Sequence, residues 1–171
     1  LNHLKLGGQA IGENDFLLAS NRFIEAKEYF LTADQILQDL SSTSNGLSDL
    51  SEDVEQAKLL LTIGQEAAEA GFYITQSLAL TGQIQTQLEA DSGKPAPEMY
   101  LTDTLSQIEN AIDLVTPKFQ RIESLVQQIN MDKIPTEYHD QLNQVIEIIP
   151  TIGNALSTFK PLVHFFGEML G

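Results

Sequence analysis

Large apolar residues return every seven positions in the first clear segment of the chain: Phe16, Phe23, Phe30 and Leu37. Ala19, Ala26, Ala33 and Leu40 each follow one of them by three. Spacing of this kind is an a/d seam, and setting large residues against small ones lets a neighbouring helix come close. The pattern predicts a helix over 15–41, with Asn14 or Asp15 as its cap. The stretch "SSTSNGLSD" ends it, with Asn45–Gly46 as the turn.

A second helix is expected over 48–90, where Leu50, Val54, Ala57, Leu61, Gly64, Ala68, Gly71, Thr75 and Leu78 keep a 3–4 spacing. Gly64, Ala68 and Gly71 make its middle thin. A glycine inside a helix costs roughly 0.5–1 kcal/mol relative to alanine, and close helix contact is the expected compensation. "DSGKPAP" then breaks the chain. The third helix, 97–130, carries Leu101, Leu105, Ile108, Ile112, Val115, Phe119, Ile122, Val126 and Ile129 in phase across Pro117, which predicts a kink there and not a stop. "NMDKIPT" is the last loop, and Pro135 opens the fourth helix, 135–170, whose stripe runs from Tyr138 through Val163 to Leu170. Pro150 and Pro161 should bend or divide it. Residues 1–13 are out of phase with the Phe16 seam, and "GENDF" is a plausible break, so a short helix folding back and a helix descending from an upstream membrane anchor both fit them.

No segment alternates with the two-residue period of a strand. Helices of roughly 27–42 residues joined by short loops, about 40–60 Å long at about 1.5 Å per residue, pack as neighbours. The expected fold is therefore all-α: one domain over 1–171, an antiparallel up-and-down four-helix bundle with proline-kinked third and fourth helices.

Charge narrows the partners. Among 171 residues, 24 are acidic and 9 basic, for a net charge of −15. Such a surface repels phosphate backbones and anionic headgroups, so neither nucleic acid nor an anionic membrane surface is an expected partner. With no cysteine, the chain has no disulfide, thiolate nucleophile or cysteine metal site. No run reaches the roughly 18–20 apolar residues of a membrane span. The first residue is Leu1, which is expected of a processed product or a piece of a longer chain, with any membrane anchor outside these residues.

The titratable residues do not assemble into a reactive pattern. His3, His139 and His164 stand in no E-x-x-H or H-x-x-x-H arrangement, and Glu137 and His139 are two apart, so they point in different directions on a helix. The paired E-x-x-H motifs of di-iron bundles are lacking. In "SEDVE", Glu52, Asp53 and Glu55 suit a solvated helix start, where acids oppose the positive end of the dipole. No nucleophile elbow surrounds a serine, and Gly7, Gly8 and Gly12 lack the strand that a phosphate loop follows. The reading is of no enzyme, no metal and no cofactor. Phe72 and Tyr73, in the thin part of the second helix, together with Phe119 and Tyr138, are the candidates for a pocket or interface; core packing is the commoner role for such residues.

The spacing of Asp15, Phe16, Ala19, Phe23 and Ala26 is similar to the second helix of a tetratricopeptide repeat, but no second copy follows at about 34 residues. Over nearly the whole chain, "IGENDFLLASNRFIEAKEYFLTADQIL", "LLLTIGQEAAEAGFYI" and "IIPTIGNALSTFKPLVHFFGEMLG" succeed one another. This succession resembles the helical N-terminal region of a family of bacterial cell-envelope proteins, found in actinobacteria and candidate-phyla bacteria, whose main domain has no assigned function. The resemblance implies a membrane helix upstream, a core domain downstream of "PLVHFFGEMLG", and an extracytoplasmic location. It carries over no binding or catalytic residue. The expected role is a helical spacer or protein-interaction module whose partner is another protein or an adjacent domain of the same chain. The alternative is a ligand-sensing four-helix bundle of a bacterial receptor.

Overall fold

The computed structural model describes residues 2–43, 51–90, 98–140, 142, 143, 146, 149, 153, 160, 161 and 163–165. The Asn45–Gly46 turn, the "DSGKPAP" break, and Pro150, Ile152, Leu156, Phe159, Phe166 and Leu170 of the expected fourth helix lie outside them. Every regular element among the described residues is helical: α1 (Asn2–Gly12), α2 (Phe16–Thr43), α3 (Ser51–Ala90), α4 (Glu98–Val126) and two single 3-10 turns, Met131–Lys133 and Thr136–Tyr138. The described residues from His139 to Asp140, and those further on, are helical as well. α2 packs on α3 and α3 on α4, while α1 lies on α2 and touches α3.

α1 is a helix of its own because three residues turn the chain. Asn14 sits in the left-handed region at φ 59°, which a short polar side chain tolerates better than most. Its N–H reaches Ile11 O at 3.0 Å, and the N–H of Asp15 reaches back to Ala10 O at 2.9 Å. This pair of bonds satisfies the last carbonyls of α1 as a Schellman motif does. Asp15 then caps α2, its Oδ1 accepting from the N–H of Leu18 at 3.0 Å. One residue thus closes one helix and opens the next.

The large residues of α2 meet the small residues of α3. A Cβ placed on Gly71 would lie 2.4 Å from the Phe23 ring, and one on Gly64 would lie 2.5 Å from the Phe30 ring. Phe16 comes 3.9 Å from the corresponding point on Gly82. As the numbers climb along α2, those of the partners on α3 fall. α1 closes the other side of Phe23, where a Cβ on Gly7 would stand 2.9 Å from the ring. Ala10, Ala19 and Phe23 are buried together, with Leu4, Ile11 and Phe72 packed around them. The seam loses its cover toward the end of α2: Leu40 is 62% exposed, although its spacing places it in line with Ala19 and Ala26. α1 has 11 residues, and its first turn reaches α2 at Glu25 and Tyr29, well short of Leu40.

A second cluster joins α3, α4 and the last helical residues: Ile63, Ala70, Val115, Phe119, Ile122 and Ile149. α4 runs through Pro117 without stopping. It ends at Val126, where the spacing of Ile129 suggested helix to 130. Here the ladder tightens to i→i−3 bonds, Gln128 N–H to Leu125 O and Ile129 N–H to Val126 O. The next N–H, that of Asn130, is taken by the Oε1 of Gln56 on α3 at 2.8 Å. Pro135 has no N–H to give, and a 3-10 turn with Tyr138 N–H on Pro135 O follows it.

Candidate functional site

Between α2 and α3 lies a groove of about 360 Å³. Its floor is Phe23 and Ala68, and its walls are Ile24 and Leu31 of α2 and Phe72 and Tyr73 of α3. At the floor Ala68 gives α3 little bulk beside Phe23, whose ring itself lies close over Gly71. Phe72 and Tyr73 follow directly and point to either side, their ring centroids 5.6 Å apart and edge to face at 66°. Phe72 leans on the Phe23 cluster, and Tyr73 on the Val115–Phe119 cluster.

Of the four residues singled out by sequence, two therefore come together here. Phe119 is buried in the second cluster, behind Tyr73. Tyr138 stands exposed on its 3-10 turn, outside the groove. Ile24 and Leu31 were not legible as wall residues, since their neighbours Phe23 and Phe30 carry the seam.

A ladder of charge crosses the floor edge. Lys27 of α2 and Lys118 of α4 both donate to Glu69 of α3. Lys118 also donates to Glu66 at 3.2 Å, and Arg121 reaches the other oxygen of Glu66 at 3.1 Å. These bonds hold the Glu69 carboxyl below the usual carboxylate range, that from Lys118 first and that from Lys27 next, against a smaller opposing effect of burial. For Lys118, burial is the largest influence and would lower its pKa, but the hydrogen bonds to Glu69 and Glu66 together outweigh it and the pKa is raised. The arrangement joins three helices through fixed charges. Within it, Lys27, Lys118, Glu66 and Glu69 are all paired.

The histidines are dispersed. His3 pairs with Glu25 at 3.0 Å and stacks on Tyr29. His139 donates from Nε2 to Ile134 O at 2.8 Å, and His164 faces Glu109 at 3.2 Å; Glu168, four positions along, lies outside the described residues. Glu52 and Asp53 of the "SEDVE" stretch pair with Lys133, at 3.3 and 3.5 Å, so the start of α3 is tied to the loop after α4. Among the described residues no three His, Asp or Glu side chains are placed to share a metal ion, and no buried side-chain polar atom lacks a partner. No helix searched among them is long and apolar enough to cross a membrane. No family model, no curated protein and no solved structure matches the chain.

Proposed function

We propose that the chain is a non-enzymatic helical module that spaces or presents a neighbouring domain, or docks a partner protein, in the extracytoplasmic part of a membrane-anchored bacterial envelope protein. The observation that carries this reading is the use made of the polar side chains. Lys27, Lys118 and Arg121 join α2, α3 and α4 through Glu66 and Glu69, and Lys133 and Asn130 tie the loop after α4 to α3. Charges that in an active site would face a substrate are engaged here in holding helices in register.

The helices of this module form an antiparallel up-and-down bundle. Support comes from contact numbers that run in opposite senses along each neighbouring pair: Phe23 and Phe30 against Gly71 and Gly64, Lys118 and Asn130 against Glu69 and Gln56, and Lys160 and His164 against Asp113 and Glu109. α4 bends at Pro117, whose missing N–H leaves the carbonyl of Asp113 without its helical donor.

A ligand-sensing bundle is the second reading, and the groove beside Phe72 and Tyr73 is what favours it. Small-molecule sites enclose most of their ligand, whereas the Ile24 and Leu31 walls are open to solvent, which fits a protein surface better. The deciding experiment is to read the open reading frame on both sides of these residues and fractionate cells. A membrane helix upstream, a further domain downstream and recovery with the envelope are the expected result. A frame with neither flanking element sinks the module reading. A thermal-shift screen that found a stabilising small molecule would favour the sensor.

A further inference from the structure

The geometry points to the α2–α3 groove as the docking site of an amphipathic, basic helix of a partner protein. The inference rests on the interaction-module reading above and adds the partner's chemistry. Each of the three seam phenylalanines of α2, Phe23 buried and Phe16 and Phe30 half-buried, is followed by an exposed aliphatic residue: Leu17 after Phe16, Ile24 after Phe23 and Leu31 after Phe30. These three are 76, 43 and 48% exposed. Seven-residue spacing lines them up as one row, about 21 Å long at about 1.5 Å per residue. Ile24 and Leu31 form one wall of the groove, and Phe72 and Tyr73 the other. An apolar row beside an aromatic-walled groove is what the apolar face of a helix fills, with anchors at positions i, i+3 or i+4, and i+7.

Charge selects the sign of the occupant. The groove's one cation, Lys27, is engaged by Glu69. Glu28, also lining the groove, makes no ion pair among the described residues. The chain as a whole carries −15. A second copy would bring the same charge to the same surface, whereas lysines and arginines flanking an apolar stripe would be drawn to it.

The test uses the whole chain and a synthetic helical peptide of about 18 residues, long enough to cover the row, with leucines at 3–4 spacing, lysines elsewhere and one tryptophan. The protein has no tryptophan, so emission reports the peptide alone. The expected result is saturable binding, weakened about tenfold or more by Ile24→Glu and by Leu31→Glu. Ile36→Glu, at an exposed site on the same helix but outside the groove, should change it less than about twofold. Circular dichroism of each variant establishes that it folds, and Leu17→Glu, at the most exposed position of the row, supplies a further variant.

No binding overturns the proposal, as does equal binding by a scrambled leucine–lysine peptide or by a leucine–glutamate peptide of the same pattern. Light scattering that shows a dimer of the chain, dissolved by Ile24→Glu, would also overturn it by making a second copy the occupant. None of these outcomes touches the flanking frame or the cell fraction, on which the module reading stands or falls separately.

Discussion

Phe23 fills the space that a side chain on Gly71 would need, with its ring 2.4 Å from the position of the missing Cβ. The same ring is closed from behind by Gly7 of α1, so it has no direction in which to retreat. This contact joins the first three helices and explains why α3 keeps a glycine where helix propensity would favour almost any other residue.

Gly71→Ala is therefore expected to destabilise. The substitution gains roughly 1 kcal/mol of helix propensity and forces overpacking that costs about 1–3 kcal/mol or more, with the second effect dominant because the ring is held on both faces. Gly8→Ala is the control, since nothing stands within 4 Å of its added Cβ, and it should stabilise by about 0.4–1 kcal/mol. Urea unfolding followed by circular dichroism measures both. A Gly71→Ala midpoint at or above that of the parent would contradict the packing described.

Removing the centre of the charge ladder leaves cations behind. Glu69→Gln should lower stability by roughly 1–3 kcal/mol, because among the described residues Lys27 loses its one anionic partner, Lys118 keeps only Glu66 as one, and the neutral amide leaves a single accepting oxygen for the two lysines. Pairing it with Lys118→Met should recover part of that loss, as removing both partners of a shielded pair is less harmful than removing one. A double-mutant cycle with no coupling between the two positions would mean that the contact contributes nothing in solution.

Acid should weaken the fold through the same group. The pKa of Glu69 is depressed in the folded chain, so its contribution is complete above the unfolded value of about 4.3 and is lost as pH falls through the folded one. Glu25 acts in the same sense, held down first by its hydrogen bond from Arg22 and further by His3, against an opposing effect of burial. For Lys118 the pKa is raised, so its contribution is complete below about 10.4 and is lost only as pH rises beyond that. Urea midpoints taken from neutral pH downward should drop below about pH 4, and the drop should be shallower in Glu69→Gln, with the share of Glu25 remaining. An acid limb identical in the two proteins would rule Glu69 out as its source.

The joint between α1 and α2 tolerates little change. Asp15→Ala removes the acceptor for the Leu18 N–H and should cost about 0.5–2 kcal/mol. Asn14→Val places a branched side chain at φ 59° and should cost at least about 1–2 kcal/mol. Asn14→Gly, free of that restriction, should be close to neutral. Thermal unfolding that ranked the valine variant with the glycine one would refute the left-handed turn.

Much of this was legible in the sequence, but unevenly. Heptad spacing identified the buried face of α2, and Gly64, Ala68 and Gly71 announced a close approach on α3. Asn14 and Asp15 were visible as a cap, since capping chemistry is local. Which phenylalanine meets which glycine depends on how two distant helices slide against each other, and nothing local records that. The ladder was missed for the same reason: Lys27, Glu69 and Lys118 are separated by 42 and 49 positions. The scarcity of basic residues, with Lys27 and Lys118 placed beside the seam residues Ala26 and Phe119, was the one available signal. Tyr138 looked like a fourth wall of a pocket because its phase matched the stripe of the fourth helix. The 3-10 turn after Pro135 instead leaves it exposed.

Phenylalanines and glycines that both recur at seven-residue spacing carry an ambiguity. If α2 slid one heptad along α3, about 10.5 Å, Phe16 would seat on Gly71 and Phe23 on Gly64, and two rings would again be housed. Shape alone is a vernier with two matching marks. Lys27 breaks the tie, for in the slipped alignment it would face Thr62 in place of Glu69. An ion pair that adds little to the depth of the native well is thus a contact that the native alignment makes and the slipped one lacks.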